Sequence, residues 1–247
     1  MHKPLLLLLL LCATVGCGPL PVERDVSLDE LPMPGFVITP DRERGGEAVS
    51  IYADQNLVEG PCHRLPTATR LTVNGEVLER RTRGERALSR EGYLACRLPG
   101  FTGPQRPSDE ARSEFILSDG ATRMRAVFLN LRAPRSVRVN GQARDAVLRA
   151  GQEVDLEWFP ATDRLGWRSS MLVHLQAEGS SSFTIHDTRV RDNHLLFTPD
   201  PLPPGRYTLR MSATAYPGVE ACEGFISCEA PLPLEGPSAV STTVVIE

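Results

Sequence analysis

Apolar and polar residues alternate along much of this chain in runs of four to eight. In "EVDLEWF", Val154, Leu156 and Trp158 fall on one side while Glu153, Asp155 and Glu157 fall on the other. This is the period of two expected of a strand with one buried face. From Ser136 onward, "SVRVN", "EVDLEWF", "MLVHLQA", "SFTIHD", "HLLFT", "RYTLRMSA" and "VSTTVVIE" are separated by Gly, Pro, Asp or Ser clusters. Such a series of short strands predicts a sandwich of two sheets.

From Phe36 to Leu131 the pattern is weaker. "AVSIYA", "TRLTV", "EVLERR", "YLACRL", "EFILSDG" and "TRMRAVFLNL" read as strands, with tight turns at Asn74-Gly75 and Asp119-Gly120. Leu94, Cys96 and Leu98 alternate, so Cys96 is expected to point inward. "LRAPRS", residues 131–136, is a short Pro-containing link between the halves that would permit limited hinging. The expected fold class is all-β, with two immunoglobulin-like β-sandwich domains in tandem, 36–132 and 133–247.

Composition agrees with this. Of 247 residues, 21 are proline and 20 glycine, which favours many turns over a helical bundle. The net charge of −4 becomes −5 if Lys3 is lost with a signal segment, which does not suit nucleic acid. Lys3 is the only lysine, so a mature chain lacking it holds neither a P-loop lysine nor a Schiff-base amine.

The amino terminus has its own logic. Lys3 precedes Leu5–Leu11, a run too short to span a bilayer but suited to an export signal. Cys12 lies within that run, whereas Cys17 follows Thr14, Val15 and Gly16. The "TVGC" stretch resembles the lipobox of bacterial lipoproteins. The resemblance implies removal of residues 1–16, acylation of Cys17 and anchorage in a membrane at the cell envelope. Gly18, where retained members of that family carry Asp, implies the outer membrane. Residues 17–35, whose "GPLPVERDVSLDELPMPG" portion is rich in proline, read as a lipidated flexible tether.

Export decides how the remaining cysteines are read. Cys62, Cys96, Cys222 and Cys228 form an even set in an oxidising compartment. Three pairings are possible; the separation of the pairs along the chain favours Cys62 with Cys96 and Cys222 with Cys228. Zinc is disfavoured, since there is no CxxC pair and no neighbouring histidine. No metal and no cofactor are expected.

Residues 153–247 resemble a fibronectin type III domain. The resemblance rests on Trp158 in "VDLEWFP", the "LPPGRYTLRMSA" corner from Leu202 and the last strand "VSTTVVIE". It implies that Tyr207 turns inward and ties its hydroxyl to nearby backbone, with Leu209 and Met211 in the core. The departure from that family is the long segment after Tyr216, where a short turn would be normal.

No G-x-S-x-G, HExxH, glycine-rich nucleotide loop or EF-hand pattern occurs. His174, His186 and His194, with Asp192, lack a ligand or triad spacing, and the bland reading is solvated strand-end histidines. The arginine-rich run 79–91 carries interleaved glutamates and reads as a solvated rim. Trp167, in "DRLGWRSS", is a candidate for surface contact. The favoured recognition element is the 217–237 loop, with Phe225 and Ile226 read as exposed between paired cysteines; the alternative is a cap folded over its own sandwich end. The expected function is a non-catalytic, membrane-anchored interaction or structural module whose partner is an envelope protein or glycan. The rivals are a carbohydrate-binding surface module and an envelope hydrolase.

Overall fold

The computed structural model describes residues 23–41, 46–52, 62–81, 86–88, 94–96, 98, 100–103, 110–165, 171–177, 182–185, 188–234 and 239–247. The fold is all-β, and its one helical turn among these residues is the 3-10 turn Leu28–Glu30. Its buried apolar side chains form two clusters.

The first cluster lies between two five-stranded sheets. One has the order Ser227–Glu229, Gly35–Asp41, Gly46–Tyr52, Gly100–Gly103, Glu79–Arg81; the other runs Val219–Glu223, Arg123–Leu129, Arg112–Ser118, Arg70–Val73, Glu76–Val77. The period of two dictates the interior. Phe36, Ile38, Val49, Ile51 and Phe101 from the first sheet meet Leu71, Val73, Phe115, Leu117 and Phe128 from the second. Phe36 and Phe115 are tilted with centroids 5.4 Å apart, and Phe115 meets Phe128 edge-on at 6.0 Å, geometries that the ring quadrupoles favour.

"EVLERR" is not the single strand its alternation predicts. Glu76–Val77 pairs with Arg70–Val73 in one sheet, and Glu79–Arg81 pairs with Gly100–Gly103 in the other. Leu78 lies at the crossover, 5% exposed, and donates its backbone N–H to Leu71 O. Asn74 and Gly75 take φ of +48° and +88° between Val73 and Glu76, the two-residue turn predicted for this pair.

Residues 17–35 are not all tether. Glu23–Asp25 pairs in parallel with Cys62–Arg64, and Val26, Leu28 and Leu31 are buried in the first cluster. Leu28 N donates to Asp119 Oδ2 at 2.9 Å, joining this segment to the predicted 119–120 turn. The physical reason is the burial of three aliphatic side chains interleaved with charges, a pattern that proline content masks. The stretch between Cys17 and the first described strand is therefore residues 18–22. Fully extended, five residues reach roughly 17 Å.

Burial alone would raise the Asp119 carboxyl, but the backbone N–H groups of Leu28, Thr122 and Ala121 hold it below its ordinary value of 3.8. A depressed native value makes the carboxylate's contribution to this docking fully present above the unfolded pKa and lost as pH falls through the native one. Amide exchange at Val26–Leu31 is accordingly expected to be pH-independent in its protection above about pH 5 and to lose part of that protection below about pH 4. The same exchange in Asp119→Asn should show no such acid step.

The second cluster lies between a four-stranded sheet, Ser136–Val139, Val154–Phe159, His194–Phe197, Thr188–Arg191, and a sheet ordered Ala146–Leu148, Val240–Ile246, Gly205–Tyr216, Leu172–Ala177, Ser182–Ile185. Val154, Leu156 and Trp158 point inward as their alternation requires. The Trp158 indole donates to Asp163 O at 3.0 Å. Tyr207 is 4% exposed, its hydroxyl donates to Pro203 O at 2.9 Å, and Leu209 and Met211 are buried beside it. The chain leaves one sheet for the other after Val139: Ala146–Leu148 runs parallel to Val244–Ile246. This architecture is compatible with an immunoglobulin-like sandwich.

Candidate functional site

The segment after Tyr216 neither stands free nor caps its own sandwich. It crosses to the other one. The long strand Gly205–Tyr216 ends against Arg164–Leu165, and Gly218 then accepts a hydrogen bond from Leu129 N at 2.8 Å. A Cβ on Gly218 would lie 3.0 Å from Thr162 O, so a side chain here would press on backbone where the two halves meet. Val219–Glu223 adds antiparallel to Arg123–Leu129, and Ser227–Glu229 adds in parallel to Gly35–Val37. Leu232–Leu234 finally returns to Ala213–Ala215 in the second sandwich.

This excursion places one strand on the edge of each sheet of the first sandwich. The Cys222–Cys228 disulfide links those two edge strands, with Cα atoms 5.9 Å apart. Between them Gly224 turns with φ +80° directly against Met124, where a Cβ would meet Met124 Cγ at 2.7 Å. Together with the crossover at Leu78, the excursion closes the sandwich along both open sides. The disulfide expected from the chain order is present, and it joins sheets as well as closing a loop. The side chains of Cys62 and Cys96 lie outside the described residues.

Phe225 is not exposed. It is 8% accessible and packs with its centroid 5.1 Å from that of Phe36, inside the first cluster. An aromatic ring at the seam between two sheets gains more from apolar contact than from water, which reverses the expectation that it is a surface contact residue. Ile226 is 58% exposed, and its backbone N–H donates to Pro34 O at 2.7 Å. Met33 beside that acceptor is 54% exposed, so two large apolar side chains emerge at one edge. Trp167 lies outside the described residues.

Charge pairs line the excursion. Arg125 reaches Glu114 at 2.5 Å and Glu223 at 2.8 Å, and Arg112 reaches Glu220 at 3.2 Å. Hydrogen bonding from Arg125 holds the Glu114 carboxyl below its ordinary value. Of the arginine-rich run, Arg80 is spent on the carbonyls of Pro66 and Leu65, and residues 82–85 and 89–91 lie outside the described ones.

The histidines are not gathered into a site among the described residues. His194 Nδ1 lies 2.8 Å from Asp155 Oδ1, and that hydrogen bond raises its pKa above 6.5. Asp192 sits in the turn before it with φ +53°. His174 is on the strand Leu172–Ala177, and His186 is outside the described residues. No group of three or more metal-binding side chains occurs among the described residues.

Two residues that the sequence reading passed over bind the halves together. Arg135, in the link, donates Nε to Asp163 Oδ2 at 3.0 Å, Nη1 to the carbonyls of Leu131 and Ala133, and Nη2 to that of Asn130. The Asp163 side chain is 1% exposed and that of Arg135 12%. Burial pushes the Asp163 carboxyl upward against the opposing pull of Arg135. Asn130 also donates to the Thr162 hydroxyl at 3.1 Å. The expected hinge at 131–136 is thus pinned by a guanidinium, and the returning strands cross the same junction. The only sequence signal was the presence of an arginine in "LRAPRS" and an aspartate in the "FPATDR" loop.

No protein-family model matches this chain, and no curated protein matches it. Among solved structures it is similar to PcoC, a methionine rich copper resistance protein from Escherichia coli, over 47% of this chain and 100% of that one. The identity is 14% and the TM-score 0.28.

Proposed function

We propose that this protein is a membrane-anchored lipoprotein whose two sandwiches act as a non-catalytic interaction module at the cell envelope. The observation that supports the reading most is the Cys222–Cys228 bridge joining both sheets, because a structural disulfide of this kind persists where thiols are oxidised. The export signal and the "TVGC" lipobox at Cys17 supply the route. With residues 18–22 as the leash, the first sandwich rides close to the lipid surface. The second sandwich is proposed to be fibronectin type III-like, on the Tyr207 corner and the buried Trp158.

Intact-mass and membrane-fraction measurements on the protein from its own host test the anchor. Wild type is expected to begin at an acylated Cys17 and to sediment with membranes, and Cys17→Ser to be released. An unmodified amino terminus on wild-type protein would overturn the lipoprotein reading.

A further inference from the structure

We infer that the cleft beside the linker binds an oxyanion, a carboxylate or phosphate carried by an envelope ligand. This deepens the interaction-module reading and rests on it, but it does not depend on the lipid anchor. The cleft has a volume of about 650 Å³ and lies between the link, the strand Ser136–Val139, the turn at 143–144 and the start of the last strand at 239–241.

Three arginines line this cleft, Arg135, Arg138 and Arg144, and no described residue lining it is acidic. Their situations differ. Arg135 is committed to the junction, where the Asp163 carboxylate offsets its charge, which leaves Arg138 and Arg144 as the cleft's available cations. The Arg138 guanidinium lies 4.9 Å from the Phe159 ring centroid, and a guanidinium stacked on a ring keeps its in-plane N–H donors for a second partner. Its cross-strand neighbour is Glu157, yet neither Arg138 nor Arg144 makes an ion pair among the described residues.

Arg144 is held at the rim by its neighbours on both sides. The Thr242 hydroxyl donates to Ala143 O at 2.5 Å, and Asp145 N donates to Thr243 O at 2.6 Å. The Asp145 carboxylate is turned to the Thr243 hydroxyl and to Arg206, away from a role as partner to Arg144. A fixed backbone lowers the ordering cost of a guanidinium fork that recognises a planar or tetrahedral oxyanion. Ser136 and Ser241 belong to the same lining.

The test is a titration of the detergent-solubilised mature protein with galacturonate oligomers, with inorganic phosphate and with a neutral glucan. Saturable, salt-sensitive binding of the carboxylate or the phosphate probe is expected, with at least a tenfold loss in Arg138→Ala/Arg144→Ala and none for the neutral glucan to lose. Which probe binds identifies the source of the oxyanion. If the double variant has a changed melting midpoint, Arg144→Gln alone, on an exposed turn, is expected to weaken binding severalfold. Absence of binding to both anions, or binding unchanged in the arginine variants, would overturn the assignment while leaving the anchored module intact.

Discussion

Phe225→Ala is expected to destabilise the first sandwich by about 3–5 kcal/mol, the range for removing a buried aromatic ring. The ring touches Phe36, and Phe36 in turn touches Phe115 and Phe128, so the cavity would open against an aromatic cluster. Its wall is a seam between two edge strands, and collapse there requires both sheets to move. The companion Cys222→Ser/Cys228→Ser should cost less, about 2 kcal/mol, since the covalent loop is short and the chain-entropy effect grows with loop length. Denaturant unfolding of both variants checks the ranking. A Phe225→Ala loss under about 1 kcal/mol would mean that the seam is solvated and that the excursion is dispensable.

Arg135→Met should be comparably severe, at about 3–5 kcal/mol, because it leaves the Asp163 carboxylate buried without its cation. It also strips the Leu131 and Ala133 carbonyls of the Arg135 donor, while Asn130 O keeps the Ala133 N–H, and a buried acceptor without a partner adds to the loss. The pH dependence separates this from mere loss of packing. A carboxyl whose native pKa is raised above its unfolded value contributes stability below the unfolded pKa and loses it as pH rises through the native one. With Arg135 gone, burial acts on Asp163 unopposed, so the variant should recover stability on acidification. Arg135→Met/Asp163→Leu should restore part of the loss at neutral pH, as expected when both members of a buried pair are replaced together. Equal instability at all pH values would show that the carboxylate is not the cause.

Short-range periodicity made the second sandwich legible. Val154, Leu156, Trp158, Leu209 and Met211 are all buried where alternation put them, since the side-chain direction of a strand follows from local backbone geometry alone. The first sandwich was less so because its sheets are completed by segments that alternation cannot assign. "EVLERR" has strand periodicity throughout, yet Leu78 divides it between sheets. Prolines and charges concealed Val26, Leu28 and Leu31. The cleft itself carries no local signal, since its lining is completed by Leu234 and residues 239–241, some hundred positions from the three arginines.

The residues by themselves determined an all-β chain, the inward face of most strands and the two-residue turn at Asn74-Gly75, and they favoured the pairing of Cys222 with Cys228. Only the tertiary structure decided that this disulfide braces the other sandwich, that Phe225 is core and that Arg135 locks the link. The reason is physical: alternation reports which face of a strand is apolar, whereas the partner covering that face is chosen by contacts between distant segments, which leave no periodic trace in either one.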